Sequence, residues 1–299
     1  MRFVFAILLP LFLACATVPG TEHRIARDRL ELSLWEKDGT RSPGARRVVV
    51  LVHGATWSGR PDFDLPLRDY SLMDALARAG LDALSLDIHG YGRSSPAVAA
   101  DDWSDTRSAV KDLEAAVDWI VRERGVPRVA LLGWSWGTQI AGLYAEEHPE
   151  RLSKLVLYAP LWNGPPRLAS LKAPLPTAPA RENTDEDARS DFIPELTESR
   201  VMDLYASEAL KSDPRSPNGV LVDLRSKLPL LDPGRIRTPT LVIQGEKDPI
   251  STKDDISPFV ARLGTAERRH VILPKGGHAV MLEKEGHALF QRAVLDFLN

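Results

Sequence analysis

Short apolar runs, each closed by turn residues, alternate along this chain with longer segments whose apolar residues recur at helical spacing. The runs predict strands over 48–53, 81–88, 129–133, 155–159, 240–244 and 270–273, and the periodic segments predict helices over 71–79, 108–124, 138–147 and 286–297. The 108–124 stretch shows the logic. Val110, Leu113, Ala116, Val117, Ile120 and Val121 share one face and the other face is charged, so the helix is expected to lie on a sheet. Strand and helix in alternation predict an α/β fold with a mostly parallel central sheet and helices on both faces.

One region breaks the rhythm. Residues 161–235 hold ten of the chain's 23 prolines, include the acidic stretch 182–187, and offer no strong strand. Proline removes a backbone donor and clashes with the preceding turn, so the first third cannot be a long helix. The region reads as a cap insertion with a few short helices, one of them over 198–210. A disordered linker is the simpler alternative, disfavoured because the strand pattern resumes at Thr240. The chain thus divides into a leader and tether (1–20), the first part of the core (21–160), the insertion (161–235) and the second part of the core (236–299).

Composition narrows the function. With 43% hydrophobic residues in 299, the chain can bury a sizeable core, as one domain with an insertion. Lys and Arg number 38 against 41 Asp and Glu, a net charge of −3 without long like-charged blocks, which argues against a nucleic-acid partner. The single cysteine, Cys15, rules out an intramolecular disulfide and any cysteine-built zinc or iron–sulfur centre.

The first residues have the layout of an export signal: Arg2, an apolar run over 3–13 too short to span a bilayer, then small residues. Ala14 and Ala16 form an A-x-A cleavage site, whereas Leu11-Phe12-Leu13-Ala14-Cys15 resembles a bacterial lipobox. The place of the only cysteine favours the second, with Cys15 lipidated and the protein anchored to a membrane. Phe12 departs from the usual leucine. In a Gram-negative cell, Ala16 after the cysteine implies the outer membrane, and without lipidation the protein would be periplasmic or secreted.

The chemistry lies in Gly133-Trp134-Ser135-Trp136-Gly137, a G-x-S-x-G run between a predicted strand and a predicted helix. That context makes a sharp turn which lifts the serine hydroxyl out of the sheet. Serine needs an imidazole to take its proton and a carboxylate to orient that imidazole, in chain order serine, acid, histidine. Asp248 follows the strand 240–244, with Glu246 as competitor, and His278 follows the strand 270–273 in a glycine-containing loop. Of the other histidines, His53 is expected to hold a neighbouring loop, while His23, His89, His148, His270 and His287 read as satisfied or solvent-facing. His278, Glu283, Glu285 and His287 lack the spacing of a metal site, and a solvated surface is the preferred reading.

With these motifs the chain resembles an α/β-hydrolase fold enzyme over nearly all of residues 30–299. The resemblance implies that Val50-Leu51-Val52-His53-Gly54-Ala55 is the strand and H-G turn whose next residue, Ala55, supplies one oxyanion N–H, with Trp136 supplying the other. It selects Asp248 through G-x-x-D. It also identifies Asp87-Ile88-His89-Gly90-Tyr91-Gly92-Arg93-Ser94 as the D-x-x-G-x-G-x-S turn, which performs no chemistry.

Trp57, Trp134, Trp136 and Trp162 fall in loops that this fold brings near Ser135. An aromatic-walled substrate pocket, with Trp57, Trp162 and the Trp136 side chain as contacts, stands against plain packing beneath the elbow and cap. The expected reaction is acyl transfer to water from a small-molecule substrate, without a cofactor. Carboxylic ester cleavage ranks first and a proline iminopeptidase-like aminopeptidase or amidase second. The H-G loop departs from the latter's H-G-G-P-G. A silent ligand-binding protein on the same fold ranks below both, since serine, acid and histidine are all present.

Overall fold

The computed structural model describes residues 17–39, 46–97, 102–164 and 174–299. The leader with Cys15 and part of the proline-rich stretch lie outside them. The strands are β1 (Gly20–Arg27), β2 (Leu30–Lys37), β3 (Val48–Val52), β4 (Asp82–Leu86), β5 (Val129–Trp134), β6 (Leu152–Tyr158), β7 (Ala180–Glu182), β8 (Arg215–Pro217), β9 (Thr240–Gly245) and β10 (Arg268–Leu273). Eight form one sheet in the order β1-β2-β4-β3-β5-β6-β9-β10. β2 runs antiparallel to both neighbours and the remaining pairs are parallel.

The central strands are apolar throughout because both faces are covered. Val50, Val52, Leu131, Leu155, Leu157 and Val242 feed the core layer shared with helices Thr106–Arg124 and Trp136–Glu147. Their alternate neighbours Val49, Leu51, Ala130, Leu132, Val156 and Leu241 feed the opposite layer, with helices Leu72–Arg78 and Gly286–Leu298. The period-two side-chain direction of a strand divides one apolar run between two cores. Asp105 caps the long Thr106–Arg124 helix by accepting from Ser108 N–H, and Gly125 ends it in the left-handed conformation.

Six sheet strands and four helices stand where the pattern predicts them, within a few residues. The edge strand β1, its neighbour β2 and the helix Lys253–Arg262 were not foreseen. For β2 the signal was present: Leu30, Leu32 and Leu34 alternate with Glu31, Ser33 and Trp35. β1 is mostly polar because it lies at the sheet edge, and Pro258 obscured the helix.

The segment between β6 and β9 contains the two-stranded β7/β8 pair and helices Asp185–Arg189, Ser199–Ser212 and Gly219–Ser226. It is tied to the core by polar contacts. Asp213 accepts from Ser58 N–H at 2.8 Å, Ser58 O–H at 2.7 Å and Gly92 N–H at 2.6 Å. Tyr205 O–H donates to Asp62 at 2.8 Å and Ser216 O–H to the Thr56 carbonyl at 2.6 Å. Among the described residues no helix is long and apolar enough to cross a membrane.

Candidate active site

The parallel strands end at one sheet edge, and the chemistry collects there. Ser135 directly follows β5, at φ +53° and ψ −116°, a strained left-handed conformation for a residue with a Cβ. The strain is held by its own backbone: Ser135 N–H donates to the Tyr158 carbonyl at 2.9 Å, and the Ser135 carbonyl accepts from Thr138 N–H at 3.0 Å. Gly137 is required because a Cβ there would lie 2.2 Å from the Val52 carbonyl oxygen. The turn therefore lies against β3, within reach of the loop that carries Gly54 and Ala55. Ala55 lines the same cavity as Ser135.

Asp248 and His278 are brought together by a second close approach. A Cβ on Gly245 would lie 2.3 Å from the Gly276 carbonyl oxygen, so the loops after β9 and β10 pack backbone to backbone, and Lys247 N–H donates to Gly276 at 2.7 Å. His278 Nε2 lies 3.0 Å from Ser135 Oγ, and its Nδ1 lies 2.8 Å from Asp248 Oδ2. The other Asp248 oxygen accepts from Ile250 and Ser251 N–H at 2.8 and 2.9 Å, which fixes the carboxylate in its turn. The His278 carbonyl is held from beneath by Tyr158 O–H at 2.6 Å and Trp134 Nε1–H at 3.2 Å. Burial would lower the His278 pKa, but the Asp248 charge and hydrogen bond, with the charges of Asp191 and Asp62, outweigh it and hold the imidazole above its ordinary value.

His53 is the loop holder it was expected to be. Its Nε2 accepts from Ile88 N–H at 3.1 Å, so Nδ1 carries the proton and donates to the Gly54 carbonyl at 2.8 Å. Burial pushes its pKa down to about 4, so the ring is neutral. The Trp136 N–H stands at the first turn of its helix, where no intrahelical acceptor exists, and points the positive end of the helix dipole at the site.

Of the four tryptophans, Trp57 and Trp134 line the cavity with Ser135. Trp162 corrects the expectation. It packs on Phe259 and under the Arg262 guanidinium, outside that cavity, because its backbone N–H is drawn to Asp255 at 2.9 Å. The Trp136 ring is also buried elsewhere and donates to Thr106 Oγ1 at 2.9 Å.

The remaining candidates are local. Glu246 accepts from Lys275 N–H, and Glu283 from Gly277 N–H. His287 Nδ1–H donates to the Glu283 carbonyl, and His23 and His270 pair with Glu36 and Gln244. His89 is more than a turn residue: it is buried between Asp112 and Asp102, which raise its pKa against the cost of burial. Asp87 accepts from Gly59 and Arg93 N–H, clasping the D-x-x-G-x-G-x-S turn. For a metal, Glu36, Asp38 and Asp82 bring carboxylate oxygens within 4.8 Å of one another, but on another part of the sheet and with Arg124 and Arg46 paired to them.

The cavity above Ser135 measures about 210 Å³. Leu161, Leu224 and Ile250 supply apolar wall, while Asp62 and Asp191 supply two carboxylates that the sequence did not single out. Asp62 accepts from Gly54 N–H at 3.2 Å as well as from Tyr205, and burial pushes its pKa well above the ordinary carboxylate value.

The sequence profile of the serine aminopeptidase S33 family matches residues 43–285. A 2-hydroxy-6-oxononadienedioate/2-hydroxy-6-oxononatrienedioate hydrolase of Cupriavidus pinatubonensis is 30% identical over 281 residues, covering 84% of this chain and 86% of that one. A monoglyceride lipase homolog of Monkeypox virus is 29% identical over 225 residues, covering 69% and 72%. Among solved structures, a hydrolase from Pseudomonas aeruginosa superposes with a TM-score of 0.69 at 23% identity, over 93% of this chain and 98% of that one. The fold, the strand-end site and the family profile agree, and the chain belongs to the serine aminopeptidase S33 family of α/β-hydrolase fold hydrolases.

Proposed function

We propose that this chain hydrolyses a carboxylic ester of a compact, partly apolar substrate through an acyl-enzyme. The observation that carries the reading is the Ser135–His278–Asp248 relay, 3.0 and 2.8 Å long, opening on a small cavity with apolar wall. Ser135 Oγ attacks the carbonyl carbon as His278 Nε2 takes its proton. Asp248 stabilises the imidazolium without itself being protonated. The backbone N–H groups of Ala55 and Trp136 receive the oxyanion, each contribution worth about 2.7–4 kcal/mol. His278 then protonates the leaving alcohol, and water repeats the sequence to release the acid and restore Ser135.

A second reading is carbon–carbon bond hydrolysis, favoured by the printed activity of the Cupriavidus relative. That relative's named substrate is a dioate, with two carboxylates. The cavity here carries Asp62 and Asp191, and no Lys or Arg among the described residues that line it, which speaks for an ester. Labelling with a fluorophosphonate probe and peptide mapping tests the shared step: an adduct on Ser135 is expected, and its absence in folded protein would remove the nucleophile. An ester panel beside the oxo-dioate and a proline amide then separates the readings, and turnover of the oxo-dioate alone would overturn the ester.

Export and membrane attachment through Cys15 are part of the same proposal. The support is the position of the cysteine after Leu13-Ala14. Mass analysis of the mature N-terminus, with Cys15→Ser as comparison, should show a diacylglyceryl adduct. An unmodified A-x-A-cleaved terminus would refute the anchor.

A further inference from the structure

We propose that the inserted segment is part of the oxyanion machinery, with Tyr205 and Ser216 as positioning residues that hold the loop 54–59 in the shape that presents the Ala55 N–H to the reacting carbonyl. This rests on the acyl-enzyme reading and on the oxyanion role given to Ala55, and adds what fixes the geometry of that donor.

The loop joins β3 to the short helix Gly59–Phe63 and belongs to no sheet ladder. Side chains hold it instead, one to each of six successive peptide groups. Gly54 N–H donates to Asp62 at 3.2 Å, and the Gly54 carbonyl accepts from His53 Nδ1–H at 2.8 Å. The Ala55 carbonyl accepts from Tyr91 O–H at 2.8 Å and the Thr56 carbonyl from Ser216 O–H at 2.6 Å. Ser58 N–H donates to Asp213 at 2.8 Å and Gly59 N–H to Asp87 at 3.0 Å. Among the described residues the Ala55 N–H is left without an acceptor, inside the cavity that holds Ser135.

The insertion supplies part of this hold. Ser216 and Asp213 act on the loop directly, and Tyr205 O–H fixes Asp62 at 2.8 Å. Asp213 also ties Gly92, so Tyr205 and Ser216 are the more selective handles. An N–H turns with its own peptide plane, and the neighbouring planes limit that turn. Tyr205, through Asp62, fixes the plane before that of the Ala55 N–H, and Ser216 fixes the second plane after it. Tyr205, Asp62 and Ser216 are all buried, so a lost hydroxyl leaves its partner unsatisfied. An oxyanion donor works because it is aimed before charge develops, so loosening the loop weakens the transition state and spares ground-state binding.

The test compares the full chain with Tyr205→Phe, Ser216→Ala and Tyr70→Phe, each of which removes one hydroxyl. Tyr70 is the control: its O–H also ties the core to the insertion, at Glu198 with 2.8 Å, but makes no hydrogen bond to 54–59 among the described residues. The readouts are kcat and KM for p-nitrophenyl butyrate, the rate of Ser135 phosphonylation by a fluorophosphonate probe, and Tm. We expect Tyr205→Phe and Ser216→Ala each to lower kcat and the phosphonylation rate about tenfold, a fraction of what loss of a whole oxyanion donor costs, with KM unchanged. Tyr70→Phe should stay near the parent in all of them.

Parent kcat and phosphonylation rate in both folded variants would overturn the inference. So would a rise in KM with kcat kept, which would make the residues substrate contacts, or an equal loss in Tyr70→Phe, which would make the insertion a general stabiliser. Phosphonylation of the parent without turnover of any ester would overturn the ester reading alone, since the labelling rates still decide the role of Tyr205 and Ser216.

Discussion

Replacing Asp248 by Asn tests the relay at its least visible member. One Asp248 oxygen accepts from two backbone N–H groups and the other faces His278 Nδ1. An asparagine can keep the first pair only by turning its carbonyl toward Ile250 and Ser251. Its NH₂ then faces Nδ1, which must become an acceptor, and the proton moves to Nε2. Nε2–H donates to Ser135 Oγ, and the base has become a donor. The opposite rotamer places NH₂ against two N–H groups and leaves three donors without an acceptor, so it does not rescue the site. The wrong tautomer in a serine–histidine–aspartate relay costs about 10⁴-fold in kcat, roughly 5.5 kcal/mol at about 1.4 kcal/mol per decade.

The assay is steady-state ester hydrolysis by Asp248→Asn, with thermal unfolding to show that the fold is kept. KM should change little. In the parent enzyme kcat/KM should rise with pH through an imidazole pKa above the ordinary value of about 6.5, because the base must be neutral. Without the Asp248 charge, burial dominates and the acid limb of the residual activity should move to lower pH. A loss of less than about tenfold, or an acid limb that does not move, would refute the role given to Asp248.

Other outcomes follow from single contacts. His53→Ala removes the acceptor for Ile88 N–H and the donor to Gly54, so it should cost about 2–4 kcal/mol of stability in urea unfolding and lower kcat. Unchanged values would show that the oxyanion loop holds itself. Gly137→Ala drives a Cβ into the Val52 carbonyl at 2.2 Å and should yield insoluble or inactive protein, whereas soluble protein of parent activity would contradict the close approach. Asp213 and Asp87 are pushed up by burial to about 6 and about 7, so the folded protein holds protons that the unfolded chain has released. The stability they contribute is present below the unfolded carboxylate range and lost as pH rises through those values. Tm should therefore fall from pH 5 to pH 8, with a shallower slope in Asp213→Asn. An equal slope would exclude Asp213 as its source.

The sequence by itself determined the sheet's inner strands, because residues buried on both faces must be apolar in unbroken runs, and Val48–Val52 and Val129–Trp134 are. It also pointed to Ser135 and His278, because the order of the residues and their places after strands constrain the chemistry before any distance is known, while the family resemblance was needed to choose Asp248 over Glu246. The polar edge strand β1 was not legible, since a strand with one neighbour need not be apolar. Nor was the fate of the tryptophans. Loop position brings Trp57 and Trp162 equally near Ser135, and only the packing of Trp162 on Phe259 separates them.

Asp62 and Asp191 are the sharpest case. They are 129 residues apart and belong to no motif, and a lone aspartate in a loop reads as solvated surface. Tertiary structure decided otherwise. The inserted segment carries Asp191 to the rim of a cavity whose wall already contains Asp62, where burial holds the Asp62 carboxyl well above its ordinary pKa. Local patterning specifies which residues must be buried. Which buried residues face one another is settled only when distant segments close over the sheet edge.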